Sequence, residues 1–243
     1  MPSAVTSYSN YDLIGTDATT AADNFDQTHP LYQSLTDYAA LRAAHKALRS
    51  GAQIHRSSGG GNGIYAFSRI DRDEQIEYIV AFNNRADAAT TNIPTFYKPG
   101  AQFDLLHAGG GQAKTRLTTA AGGALAIDVP PLGFVIYKAK TAVPPSTAAP
   151  AISFANLTDG QEITLGTQNI DGNAVPERLE IQADVAGVGY AEVTFAVRET
   201  GTTTYTLIGV DDNPPYRVFY DASVAPAGAS LDLIAVVNDL NDH

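Results

Sequence analysis

The 243-residue chain contains no cysteine, no tryptophan and a single methionine. Without cysteine, disulfide frameworks, Cys-ligated zinc, iron–sulfur clusters and thiol nucleophiles are all excluded. No stretch approaches the ~18 consecutive apolar residues of a membrane span. The start, Met1-Pro2-Ser3-Ala4-Val5, has neither a basic n-region nor an apolar h-region. The chain therefore reads as soluble, with any secretion signal lying elsewhere. Basic residues are scarce in one half only: residues 141–243 contain no lysine and only Arg178, Arg198 and Arg217, against 14 Asp and Glu. Residues 1–140 carry 12 basic and 12 acidic residues, so the whole formal charge of −11 belongs to the second half. So abrupt a shift points to two modules. It also excludes nucleic acid as a partner, because such a surface repels phosphate and no basic stripe offsets it.

The boundary is visible as Thr141-Ala142-Val143-Pro144-Pro145-Ser146-Thr147-Ala148-Ala149-Pro150. Proline at this density favours an extended, semi-rigid spacer, so the linker is placed at 141–150. Residues 1–29 are polar and aperiodic and read as irregular chain. From Pro30 to Ser50, Leu31, Leu35, Tyr38, Leu41, Ala44 and Leu48 recur at three-and-four spacing, which predicts one amphipathic helix over 30–50. Pro30 suits its first turn, Arg42, Lys46 and Arg49 its C-terminal end, and Gly51 its stop.

Beyond Gly51 the period drops to two. Strands are predicted at 63–70, 75–82, 102–106, 112–118, 124–129 and 134–139, then at 152–157, 179–185, 191–198, 204–210, 216–220 and 231–237. The fold class is therefore all-β: two antiparallel sandwiches, over 51–140 and 151–243, preceded by one amphipathic helix. The second set has the turn spacing of an immunoglobulin-like sandwich.

Motifs for chemistry are sparse. There is no Gly-x-Ser-x-Gly elbow. The glycine-rich stretches at 59–63 and 109–111 lack the Lys-Ser/Thr and helix that phosphate binding requires. His29, His45, His55, His107 and His243 show no paired metal-ligand spacing. Asp71, Asp73, Glu74 and Glu77 form the densest carboxylate cluster of the first sandwich and read as the solvated edge of a hairpin. In the acidic half, Asp211, Asp212, Asp239 and Asp242 are oxygen ligands that would suit calcium if one pole of the sandwich gathered them. Asp and Asn are also ordinary turn formers. Sugar stacking needs flat, rigidly held aromatics, and the candidates are Phe96 and Tyr97 beside Pro99-Gly100, and Tyr216 after Pro214-Pro215. The remaining Tyr and Phe alternate along strands and read as core.

Several segments carry a family resemblance. They are Ile14-Gly15-Thr16-Asp17, His29-Pro30-Leu31-Tyr32, the run from Leu41 to Gly51, Tyr65-Ala66-Phe67-Ser68-Arg69, and Tyr78-Ile79-Val80-Ala81-Phe82-Asn83-Asn84. In this order they resemble the end of an alpha-amylase family glycoside hydrolase, over about residues 12–139. The resemblance implies that 30–50 is the last helix of a catalytic (β/α)8 barrel and that 65–84 opens the C-terminal sandwich. Residues 151–239, with Leu179 to Val185, Asp211-Asp212-Asn213 and Pro215-Tyr216, are similar to immunoglobulin-like modules appended to secreted bacterial amylases. There, the equivalent of Leu233 to Asp239 is the penultimate strand, so the second sandwich is expected to lack its last one.

The barrel motifs that carry the family's Asp nucleophile and Glu acid are absent, so no catalytic residue is carried over. The resemblance thus implies a non-catalytic, extracellular accessory region of a starch-degrading enzyme. Its expected partner is the barrel of the parent chain, with an alpha-glucan as the alternative ligand. No cofactor other than calcium is implied, and self-association is expected through the helix stripe or an open sheet edge.

Overall fold

A computed structural model describes residues 27–59, 61–146, 148–187 and 189–242; the expectation of irregular chain for 1–29 lies almost wholly outside them. The described residues fall into two compact units divided between His45 and Lys46. In the first, Pro30 opens helix α1 (Pro30–Ala44), with His29 as its cap: Leu31 N donates to His29 Nδ1 at 3.1 Å. The helix ends at His45, whose extended backbone (φ −127°, ψ 102°) separates it from a one-turn helix, α2 (Lys46–Ser50). The single helix predicted over 30–50 is thus two, and α1 buries none of its residues.

Among the described residues, the second unit holds sixteen strands. The first sandwich comprises β1 (Ala52–Ser57), β2 (Ile64–Ile70), β3 (Glu77–Asn83), β4 (Ala89–Pro94), β5 (Gln102–Gly109), β6 (Arg116–Thr118), β7 (Ala124–Val129) and β8 (Phe134–Ala139). An antiparallel sheet of order β1-β2-β3-β8-β5-β6 packs over the β4-β7 pair. Alternation sets the core: Ile64, Ala66, Ile79, Ala81 and Val135 from the large sheet meet Ile93, Leu125, Ile127 and Val129 from the pair.

The second sandwich comprises β9 (Ala151–Phe154), β10 (Thr167–Ile170), β11 (Asn173–Pro176), β12 (Leu179–Ala186), β13 (Glu192–Glu199), β14 (Thr206–Asp211), β15 (Tyr216–Tyr220) and β16 (Leu231–Asn238). Its sheets run β15-β12-β9 and β14-β13-β16, around Ile181, Ala183, Val193, Phe195 and Val197. The hairpin β10-β11 turns at Asp171-Gly172, both at positive φ, as a two-residue Asp-Gly turn demands.

The two sandwiches are packed together within this unit. Tyr190, ahead of β13, is buried in the core of the first sandwich, and Val143 and Leu240 contribute there too. Val143 N donates to Gln75 O at 2.7 Å, and Gln75 Nε2 donates to Leu240 O at 2.7 Å. Arg72 pairs with Glu192 at 2.9 Å and with Asp242. The proline-rich stretch is therefore laid against the first sandwich at Val143.

Candidate docking face

In β2 the pleat sends Ile64, Ala66, Ser68 and Ile70 inward and Tyr65, Phe67 and Arg69 outward. The same parity sends Phe82 of β3 and Phe134 of β8 outward, and the registers place Tyr65 opposite Phe82 and Phe82 opposite Phe134. The rings make a continuous ladder across five strands. Centroids are 6.0 Å apart for His55–Tyr65, 5.5 Å for Tyr65–Phe67, 6.3 Å for Phe67–Phe82, 6.0 Å for Phe82–Phe134 and 5.6 Å for Phe134–His107. Tyr65 is 40% and Phe82 46% exposed. Along the same face Tyr78, Val80 and Ile136 are buried, yet they stand apart from the core between the sheets.

A sandwich exposes polar residues on its outer faces, so an aromatic outer face marks a surface built to be covered. Helix α2 lies at one end of it: Ala47 is fully buried, and its carbonyl accepts from Arg69 Nε at 3.1 Å. These aromatics are not core, as alternation alone suggested. The signal that would have found them is the pairing of aliphatic or small residues with aromatics along β2. Both alternating sets are apolar, and only one can face the β4-β7 pair.

Of the carboxylates read as a solvated edge, Asp73 is exposed and Glu74 half-buried, but Asp71 and Glu77 are buried. Glu77 is fully buried. Its Oε1 pairs with Arg56 Nη2 at 2.7 Å and accepts from Ser68 Oγ, while Oε2 accepts from Phe96 N at 3.0 Å. Burial pushes its carboxyl up, against the pull of Arg56 and these donors. Asp71 is also buried, since it caps the turn into β3: Asp73 N and Glu74 N donate to Oδ1 at 3.0 and 3.2 Å, and Lys46 Nζ lies 3.0 Å from Oδ2. Burial raises the Asp71 carboxyl, but Lys46 and the two backbone N–H groups outweigh it and hold it below the ordinary 3.8. A depressed carboxylate stabilises the fold above its unfolded pKa, and that contribution disappears as pH falls through the folded value. Acid unfolding below about pH 4 should therefore shift in Asp71→Asn, which loses part of the wild-type dependence. Tryptophan-free near-ultraviolet circular dichroism, followed during acid titration, measures it.

Of the sequence-nominated sugar residues, Tyr97 and Tyr216 are buried and Phe96 is half-buried. Tyr97 is buried in the first core, edge-on to Phe103 at 5.3 Å, and its hydroxyl donates to Thr141 O at 2.6 Å. Tyr216 is buried in the second core, with its phenol pushed up to about 12 by burial. The Phe96 ring carries the Arg56 guanidinium at 4.3 Å and packs against Gly189, where a Cβ would come within 2.4 Å of it. Tyr97 and Tyr216 thus present no free flat face, and Phe96 is half-buried.

The nominated calcium ligands do not converge either. Asp211 accepts from Asn213 N and Arg217 N, Asp212 from Asn213 Nδ2 and Asp239 from Asn241 N, while Asp242 pairs with Arg72. Among the described residues, no cluster of three or more His, Asp or Glu side chains could hold a metal ion. Phe96 and Asp239 do line one cleft, of about 370 Å³, where the two sandwiches meet. No described helix is long and apolar enough to cross a membrane.

Residues 56–140 match the family of alpha amylase, C-terminal all-beta domains. The chain is 34% identical over 233 residues, 96% of its length, to an alpha-amylase of Streptomyces lividans, and spans 23% of that protein. Among solved structures, a debranching enzyme of Nostoc punctiforme is 19% identical with a TM-score of 0.38, covering 52% of this chain and 24% of that one. A MutB mutant in complex with glucose is 22% identical with a TM-score of 0.35, covering 45% and 18%. The family match is confined to residues 56–140, the first sandwich, which is similar to the alpha-amylase C-terminal all-beta domains.

Proposed function

We propose that this chain is the non-catalytic C-terminal accessory region of a secreted, starch-degrading alpha-amylase-like enzyme, and that its first sandwich braces the catalytic barrel. The observation that carries the reading is the aromatic outer face of the six-stranded sheet. Tyr65, Phe67, Phe82 and Phe134 form a half-exposed apolar surface, and the chain enters the sandwich through α2 on that same side. Burying aromatics of this kind contributes about 1.5–3 kcal/mol apiece, enough for four of them to hold two domains of one chain together. The second sandwich, packed against the first through Tyr190 and Arg72, extends the brace.

The test adds the purified chain in trans to the Streptomyces lividans alpha-amylase lacking the segment that this chain matches, and follows binding by calorimetry. Saturable binding is expected, weakened at least tenfold in Phe82→Glu/Phe134→Glu, whose solvent-side positions leave the inner core intact. No hydrolysis of a soluble maltooligosaccharide is expected from the chain alone. Turnover by the chain, or binding indifferent to the double substitution, overturns the proposal. Retention on a starch gel that requires Tyr65 and Phe82, without barrel binding, would instead support a glucan-binding surface on the same face.

A further inference from the structure

In the second sandwich, the sheet β15-β12-β9 turns Tyr216, Val218, Ile181, Ala183, Ile152 and Phe154 toward the core. Its opposite face is polar or small with one exception. Arg217 stands there on β15, Glu180, Gln182, Asp184 and Ala186 on β12, and Ala151 and Ser153 on β9. The exception is Phe219 of β15, directly opposite Glu180 in the register and 52% exposed. One ring among polar neighbours is a different surface from the aromatic ladder of the first sandwich. Even with Val175 beside it, it falls far short of the ~800 Å² that each partner of a stable protein interface contributes, so it suits a small ligand.

Phe219 forms one wall of a groove of about 290 Å³, completed by Gln168, Val175, Pro176, Glu177 and Arg178 from the β10-β11 hairpin and its exit. The base of that hairpin is fixed: Glu177 N donates to Gly166 O at 3.0 Å, and Gly166 N donates to Glu177 Oε2 at 3.1 Å. On the sheet side, the Arg217 guanidinium lies 5.8 Å from the Phe219 ring centroid and pairs with Glu180 at 3.0 Å. Side chains ordered in advance lower the entropic cost of binding. Charge here also departs from the rest of the acidic half. Two of its three arginines, Arg178 and Arg217, stand at this groove and balance Glu177 and Glu180. The groove stands clear of the first sandwich: β15 starts beside the junction turn, whose Asn213 accepts from Gln53 N, and reaches Phe219 about 10 Å further along.

We propose that this groove binds a neutral oligosaccharide, one pyranose ring stacking on Phe219 while the planar side chains around it take the hydroxyls. A gluco-configured pyranose directs its axial C–H bonds to the two faces of the ring and its hydroxyls to the rim. The faces need a flat apolar partner, which the half-exposed phenyl ring supplies. The rim needs planar groups that can make two bonds at once: Gln168, Arg178 and Arg217 donate, and Gln168, Glu177 and Glu180 accept. The balance of two arginines against two glutamates leaves no surplus positive charge for an anionic ligand. The site lies on the second sandwich and stands independently of the barrel-docking face on the first.

Titration calorimetry of the full chain with maltoheptaose and with cellohexaose, neutral chains of one sugar joined by different linkages, reads the result. Saturable binding of at least one chain is expected, weakened at least tenfold by Phe219→Ala, kept by Phe219→Tyr and weakened severalfold by Gln168→Ala. It should change little between about 0.1 M and about 1 M salt, because the ligand brings no charge to screen. Failure of both chains to bind overturns the proposal, as does binding that survives Phe219→Ala. So does tighter binding of a sulfated glycan that salt releases. Thermal melts establish that each variant is folded. Phe82→Glu/Phe134→Glu should leave sugar binding unchanged, and Phe219→Ala should leave barrel binding unchanged, so the two proposals can fail separately.

Discussion

Glu77→Ala is expected to lower the stability of the first sandwich by about 3–5 kcal/mol, because it leaves Arg56 charged and uncompensated in a nearly dry interior. The carboxylate has no exposed surface, and the guanidinium is 9% exposed. Removing the acid also takes the acceptor from Ser68 Oγ and from the Phe96 N–H, and each orphaned donor adds to the cost. Urea denaturation followed by circular dichroism measures the loss. A second variant identifies its origin. Replacing both charges by apolar residues of similar volume, Arg56→Met with Glu77→Leu, should recover most of the stability, since a buried ion pair is close to neutral against a hydrophobic isostere. If the single and double variants are equally damaged, the network matters for its hydrogen bonds to the loop rather than for its charge balance. The network ties β1, β2 and β3 to the loop carrying Phe96, and Arg56 stacks on that ring. The double variant should therefore stay folded and lose order at the junction of the sandwiches.

The strands that sequence alone made legible were those marked by composition and bounding turns. β7, β8 and β15 lie where the strand signals put them, because each is a short run rich in apolar residues bounded by turn residues. β1 was missed because it follows Gly51 directly and alternates too weakly, and β4 because its threonines hide the apolar period. The β10-β11 hairpin was missed although Asp171-Gly172 marks its turn, since its side chains are exposed on both faces and carry no apolar period. The candidate site was less legible for a related physical reason. Period two separates two faces but does not say which is covered. In β2 and β3 both faces are apolar, so Tyr65 and Phe82 read as core, while Tyr97 and Tyr216, beside prolines, read as surface. Glu77 was misread because a carboxylate in an acidic run looks solvated until a distant arginine on another strand is placed against it.

Tyr190→Ala is expected to separate the thermal unfolding of the two sandwiches and to cost about 3–5 kcal/mol, as large-to-small aromatic substitutions in cores do. Tyr190 enters the second sandwich's β13 from a loop but is buried in the core of the first, so its ring is the apolar anchor of the junction. The polar ties are weaker. Arg72, which bridges to Glu192 and Asp242, is about 29% exposed, and Asp242 largely so; pairs this accessible contribute about 0–1 kcal/mol. Arg72→Ala should therefore leave a single cooperative transition, displaced slightly and more so at low salt. Tyr190→Phe should behave as wild type, because the ring supplies the packing. Differential scanning calorimetry distinguishes the three. If Tyr190→Ala keeps one transition while Arg72→Ala gives two, the ion pairs and not the ring couple the sandwiches. The order of magnitudes decides what the proline-rich stretch does. A spacer that works by keeping two modules apart gains nothing from an aromatic ring of one seated in the core of the other. Tyr190→Ala should therefore also increase the radius of gyration in solution scattering, by releasing a module that the ring otherwise holds in place.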